Sequence, residues 1–472
     1  MSATTRGARA PKKSNQGFKS SLAGFFGSAL EYYDMYIYAS ASALVFSRVF
    51  FPDAGATGLL LSLATYGVAY LARPLGGFLA GHFGDRFGRR NVMIATLLIM
   101  GIATFIIGCL PSYSAIGLWA PALLVLMRLL QGLSVGGELA GAASLTLEHA
   151  PENRRGFYTS WLVSGIWFGY ILATLAFLWV AALPDEAIQT WGWRVPFWAS
   201  ALIVVLGLII RRSLEDPEVF TEKKANNEIP KAPIGVLLKR QPVDVVRVIF
   251  AAFLIVISTT VPVYGLTYAT NVVGIDASVV LWTTLFGYAT AFFTQPMFAA
   301  LSDRIGRKPV LIVGNLIGAV AVWQFFWAVG EADIPMIYLG IFLTITVAFA
   351  CTNAVYPVFF SEMFNVKYRV SGMAIGLQLG IVVTGFSPTI IQAISTANDD
   401  AWWPAAALTS VACIISAIAV ATARETYKTP LAELGRRDEE DEIADQEAAA
   451  AQTTQTAQTT QTAQTTQTGA SA

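Results

Sequence analysis

Twelve long apolar runs separated by short polar stretches take up most of this chain. They lie near residues 20–46, 57–81, 91–110, 117–146, 157–182, 195–211, 245–271, 277–301, 309–329, 335–361, 370–393 and 402–423. A helix needs about 20 predominantly apolar residues to cross the hydrocarbon core of a bilayer. Lipid offers a bare peptide group no hydrogen-bond partner, so runs of this length predict helices rather than open strands. The pattern therefore predicts an all-α membrane protein with twelve transmembrane helices.

Composition agrees: 55% of residues are apolar and 13% charged, where a soluble domain carries about 25% charged residues. Lysine plus arginine and aspartate plus glutamate balance at 31 each, which gives no reason to expect a nucleic-acid partner. Cys109, Cys351 and Cys413 are widely spaced within apolar runs, a pattern of core packing rather than of metal or disulfide sites. The first run is too long, and lacks the small-residue cleavage site, for a secretory signal. It reads as the first span.

Basic residues orient the chain, because cytoplasmic loops hold an excess of Lys and Arg. With the N-terminus inside, 27 of the 31 fall on the cytoplasmic side, only Arg48 and Arg194 fall opposite, and Arg73 and Arg128 lie within spans. Both termini are thus expected in the cytoplasm of a cell with the protein in its plasma (inner) membrane. The expected organisation is a tail over 1–19, a six-helix bundle over 20–211, a cytoplasmic linker over 212–244, a second six-helix bundle over 245–423 and a tail over 424–472. That tail turns acidic and then repeats "QTTQTA", a composition unable to bury a core.

Two turns repeat. "GHFGDRFGRR" (Gly81 to Arg90) follows the second run, and "ALSDRIGRKP" (Ala300 to Pro309) follows the eighth. Glu148 and Glu362 likewise follow the fourth and tenth runs. Two correspondences at nearly one offset predict pseudo-symmetric halves, the architecture of secondary transporters that rock about a site near the midplane.

Ionisable residues inside a span cost at least a few kcal/mol and are functional candidates by default. Five lie deep: Glu31, Asp34, Arg73, Arg128 and Glu138, all in the first half. Counted along straight helices, Glu31 and Arg73 share a depth, Asp34 sits one turn higher, and Arg128 lies about 15 Å beyond Glu138. A Glu31/Asp34 to Arg73 pair is geometrically open. The second half offers Tyr264, Tyr268, Gln295, Asn353, Tyr356 and Gln378 instead. Glycines at 132, 136, 137 and 141, and at 372, 376 and 380, give small-residue faces for close packing.

Several stretches carry a family resemblance. "GHFGDRFGRR" with its weaker echo resembles the signature loop of the major facilitator superfamily, and "LEYYDMYIY", "LARPLGG", "RLLQGLSVGGELAGA" and "WGWRVPFW" are similar to its metabolite:proton symporter branch. That branch includes shikimate, α-ketoglutarate, citrate and proline/betaine permeases. The resemblance runs from Phe18 to about Arg424 and implies the major facilitator fold, with helices 1, 4, 7 and 10 lining a central cavity. Tyr264, Asn353 and Tyr356 are then substrate-contact candidates, joined by Gln378. It further implies uptake of a small organic acid, shikimate- or dicarboxylate-like, or of a zwitterion, driven by the proton gradient without a cofactor. Partners are then the metabolite, protons and lipid, with a monomer as the working unit.

A proton carrier needs a carboxyl whose proton affinity follows the conformational cycle. Asp34 and Glu138 fit first, Glu31 third. Arg128 and Arg73 would hold them ionised or meet a substrate carboxylate, as suits a guanidinium fork; a static buried network is the structural alternative. The charged turns would gate: Asp85 among Arg86, Arg89 and Arg90, and Asp303 with Arg304 and Arg307, can meet an arginine or a helix N-terminus across the closed cytoplasmic end.

No Walker A sequence, dinucleotide fingerprint or zinc-protease motif is present, so neither ATP-driven pumping nor enzymatic activity is expected and no metal site is assigned. "GLSVG" (Gly132 to Gly136) matches a nucleophile-elbow pattern but falls mid-helix, away from the strand that motif requires. Two rival transport readings share the fold: a proton-linked efflux antiporter and a proline/betaine-type osmolyte permease.

Overall fold

The computed structural model describes residues 13–87, 89–136, 138–212, 233–365, 369–430 and 433–435. Among them there is no strand, and the long helices follow the apolar runs. We number the spans α1 (Lys13–Leu44), α2 (Gly58–Phe87), α3 (Arg89–Cys109), α4 (Trp119–Val135, resuming as Glu138–His149), α5 (Arg155–Ala181) and α6 (Arg194–Arg212). The second half has α7 (Pro242–Val273), α8 (Ala277–Ile305), α9 (Arg307–Gly330), α10 (Ile334–Glu362), α11 (Arg369–Thr396) and α12 (Trp403–Thr422).

Among the described residues eight of the twelve are long and apolar enough by themselves to cross a membrane. The other four, α1, α2, α3 and α6, are 32, 30, 21 and 19 residues long. Two of them carry Glu31, Asp34 and Arg73 in their middles, and these ionisable residues dilute their apolarity.

The halves meet along α5 against α8 and along α2 against α11. Each pair becomes the other when every helix is advanced by six, which is the duplication read from the repeated turns. Regular helix is interrupted in places: Pro262 lies in a wide turn of α7, and a wide turn in α10 spans Phe342–Phe349. Such interruptions are tolerated at membrane depth when neighbouring helices satisfy the released groups.

The "WGWRVPFW" stretch is structural. Trp193 is buried against Phe46, Phe50 and Phe197, and Arg194 donates to the carbonyls of Gly108 and Leu110 at 2.9 and 2.5 Å, a cation at the end of α3 where the helix dipole favours one.

The polar segment after α12, expected to be a disordered tail from Arg424, packs against the bundle over the described residues 424–430 and 433–435. Thr426 and Leu434 are each 1% exposed.

Candidate functional site

Glu31 and Asp34 stand about one turn apart on α1, and the structure gives them different partners. Arg73 Nη2 lies 3.3 Å from Glu31 Oε1, contacts Met35 Sδ and places its guanidinium 4.7 Å from the Tyr70 ring centre. Glu31 and Arg73 are therefore paired. Asp34 is not part of that pair: its Oδ2 accepts from Thr104 Oγ1 of α3 at 2.8 Å.

Arg128, 1% exposed, has no carboxylate within ion-pair distance among the described residues. Its Nη1 donates to Gln131 Oε1 at 3.0 Å and its Nη2 to the Tyr66 carbonyl at 2.9 Å. The guanidinium sits 3.9 Å from the ring centre of Tyr38 and 5.5 Å from that of Tyr66. Two π faces and two neutral acceptors thus hold a buried cation that makes no ion pair among the described residues. Gln131 Nε2 in turn donates to Thr104 Oγ1 at 2.7 Å.

Asp34, Arg73 and Arg128 line one cavity with Met100, Gln131 and Val135. Its volume is about 10 Å³, room for about one water and none for a metabolite. Close packing of α2 on α4 assembles it. A Cβ on Gly136 would lie 2.1 Å from the Arg73 carbonyl oxygen and from the Gly77 nitrogen, so only glycine permits backbone contact there. The side chain of Glu138 lies outside the described residues.

The second-half candidates occupy a different layer. Asn353 donates to Gln295 Oε1 at 2.7 Å, which also accepts from Trp167 Nε1 at 2.5 Å. Gln295 Nε2 reaches the Ser160 carbonyl and Ser164 Oγ, both at 3.2 Å. This junction ties α8 and α10 to α5 of the other half. Beside it Tyr170 stacks on Tyr288 at 4.8 Å. Gln378 donates to the Gly136 carbonyl at 2.8 Å, tying α11 to α4 of the other half. Tyr356 is buried beside Phe360. Tyr264 turns elsewhere, packing on Tyr268 and on Phe326 of α9. None of Tyr264, Asn353, Tyr356 and Gln378 lines the cavity of Asp34 and Arg128.

At the end of the bundle rich in basic residues the halves are closed on one another. Asp303 Oδ1 and Oδ2 accept from the backbone nitrogens of Gly156 and Phe157, each at 2.9 Å, so a carboxylate from α8 caps the N-terminus of α5. Arg307 Nη1 holds Asp303 Oδ1 at 2.6 Å. The same guanidinium reaches Glu362 at 3.3 Å, and Arg155 of the first half lies 3.7 Å from Glu362. Arg304 is exposed. The segment after α12 closes over this network: Thr426 Oγ1 donates to Glu362 at 2.7 Å, Arg155 donates to the Thr429 carbonyl at 2.9 Å, and Glu425 accepts from the nitrogens of Arg307 and Lys308 at 2.9 and 3.0 Å. The side chains of Asp85, Arg86, Arg89 and Arg90 lie outside the described residues.

Sequence reading missed Thr104, Gln131, Arg155 and Glu425. Gln131 stands three residues after Arg128, the spacing of helix neighbours, and was findable. Thr104 was not, since a threonine bonded to the carbonyl one turn back is ordinary in a span.

The sequence model of the Major Facilitator Superfamily matches residues 24–279 and 248–461. The chain is 37% identical over 416 residues to the shikimate transporter of Escherichia coli (strain K12), covering 87% of this chain and 95% of that protein. It is 32% identical to the citrate-proton symporter of Klebsiella pneumoniae (84% and 92% covered) and 31% identical to the proline/betaine transporter of E. coli K12 (88% and 84%). Among solved structures, the partially occluded inward open xylose transporter XylE from E. coli superposes with a TM-score of 0.70 at 19% identity, covering 88% of this chain and all of that one. With its duplicated twelve-helix bundle and these relatives, the chain belongs to the Major Facilitator Superfamily and is an integral membrane transporter, not an enzyme.

Proposed function

We propose that this transporter imports a small organic acid anion, shikimate- or dicarboxylate-like, or a zwitterion, together with a proton, by alternating access. The observation that carries the reading is Arg128: a buried guanidinium with no carboxylate at ion-pair distance among the described residues, in the same cavity as the buried carboxyl of Asp34. A substrate carboxylate would supply the missing charge, and a proton on Asp34 would remove the competing one. Two buried arginines against Asp34, Glu31 and Glu138 sum to one negative charge when all are ionised and to zero once one is protonated. That balance favours an anion or zwitterion over a lone cation. The names of the relatives, a shikimate transporter, a citrate-proton symporter and a proline/betaine transporter, support the same class.

Asp34 leads as proton carrier, with Glu138 and Glu31 behind it; Arg73, engaged by Glu31, is the secondary anion partner. Asn353, Gln378, Tyr356 and Tyr264 would read the rest of the substrate once the cavity opens. Asp303 and Arg307, with Arg304 at their edge, form one half of the gate, and Asp85, Arg86, Arg89 and Arg90 the repeat of it. The basic end is then cytoplasmic, with both termini inside and the protein, as a monomer, in the plasma (inner) membrane. The proton gradient is the drive, and no cofactor takes part.

The test is uptake into proteoliposomes of a labelled panel containing shikimate, citrate, proline and betaine, with and without an imposed pH gradient. Accumulation of an acid that requires the gradient is the expected result, and Asp34→Asn should abolish it while sparing counterflow exchange. Gradient-driven expulsion of the panel would favour the antiporter, and equal loss of both activities in Asp34→Asn would remove that residue from the coupling.

A further inference from the structure

Thr104 presents one hydroxyl proton to two acceptors. Its Oγ1 is 2.8 Å from Asp34 Oδ2 and 2.9 Å from the Met100 carbonyl oxygen, and the residue is fully buried. The hydroxyl also accepts from Gln131 Nε2 at 2.7 Å. Arg128 fixes the orientation of that amide: a guanidinium only donates, so the atom it meets at 3.0 Å must be the amide oxygen. The amide NH2 therefore always faces Thr104, leaving the hydroxyl one lone pair and one proton to dispose of.

We propose that Thr104 is the positioning residue that lets Asp34 take up and release a proton inside this closed layer without orphaning a polar group. With Asp34 ionised, the hydroxyl donates to Oδ2. With Asp34 protonated, the carboxyl O–H donates to Oγ1, and the hydroxyl turns its own proton to the Met100 carbonyl, whose second lone pair is free beside its helical bond. Gln131 donates to Oγ1 in both states. The proton passes between Asp34 and water of the opened cavity; Thr104 gains and loses none. The inference rests on the reading of Asp34 as the proton carrier.

The charged and titratable groups facing Asp34 are Arg128 from α4 and Arg73 from α2, which line the same cavity, and Glu31 and Tyr33 along α1. From α6, Arg194 is held by the carbonyls of Gly108 and Leu110, and Tyr170 of α5 packs on Tyr32 and Tyr36. None of these offers Oδ2 the exchangeable partner that Thr104 does.

The test is an infrared titration of the purified protein in lipid, following the protonated-carboxyl band that Asp34→Asn removes. Thr104→Val deletes a donor to the ionised form and an acceptor for the protonated one. A charge-assisted bond is the stronger of the two, so the midpoint should move to higher pH by about one unit or more, whereas Thr104→Ser should titrate as the native protein does. Thr104→Ala reads the same loss if the valine variant does not fold. An unmoved midpoint in both deletions, or a serine variant that shifts as they do, overturns the role of Thr104. If Asp34→Asn removes no titrating band, the assignment of Asp34 itself fails, which is a separate outcome.

Discussion

Two buried ionic sites, one at the middle of the first half and one at the basic end, are built on opposite rules. At the basic end Glu362, fully buried, is approached by Arg307 and Arg155 and accepts from Thr426, and the carboxylate of Asp303 is spent on a helix N-terminus and on Arg307. In the middle, Arg128 is equally buried and faces rings, an amide and a carbonyl. At the first site each guanidinium meets a carboxylate of the protein, and the contacts join the halves. At the second, Arg128 makes no ion pair among the described residues, the condition under which a ligand charge, as proposed above, would add a partner.

That contrast can be broken by substitution. The largest effect on stability is expected from Glu362→Gln, which leaves two guanidiniums around a neutral amide and should cost about 3–5 kcal/mol, read as a lower unfolding midpoint of the purified protein. An unchanged midpoint would mean the network does not hold the closed end. Arg128→Gln should do the reverse: gradient-driven uptake falls about 100-fold, equivalent to roughly 2.7 kcal/mol, while the unfolding midpoint stays near the native value. A large stability loss there would make Arg128 a structural cation.

Gly136→Ala should cost about 1–3 kcal/mol by overpacking α4 on α2, whereas Gly141→Ala, with no atom within 4 Å of the new Cβ, should be close to neutral in the same melt. The smallest effect is expected from Gln378→Leu, which deletes one bond to the Gly136 carbonyl. It should cost about 1 kcal/mol and change counterflow exchange by less than tenfold.

The fold was legible because its main constraint acts residue by residue: backbone groups facing lipid must be bonded within the protein, which long helices do within one segment, so span length and apolarity appear directly in the chain. The duplicated Asp-Arg-x-Gly-Arg turns were legible for a related reason, as charge in short loops is conspicuous between apolar runs. That Arg73 could pair with a carboxylate of α1 followed from their similar depth. The remainder of the site did not. Asp34 looked as available to Arg73 as Glu31 was, and the side it takes depends on which helix, α2 or α3, faces it. Tyr264 has the composition of a cavity residue and packs on α9 instead, because rotation of α7 about its axis is set by its neighbours rather than by its own sequence.

By itself the sequence determined the number of spans, the division into halves and the identity of the five ionisable residues that lipid makes costly. Only the tertiary structure decided which of them are paired, since ion pairing and hydrogen bonding between helices depend on ångström distances set by backbone contacts such as that of Gly136 on Arg73 and Gly77. It also decided that the polar segment after α12 closes over the network of Glu362, Arg155 and Arg307. A hydrophilic composition records what that segment can tolerate in water, and not the buried carboxylate it finds when the halves come together.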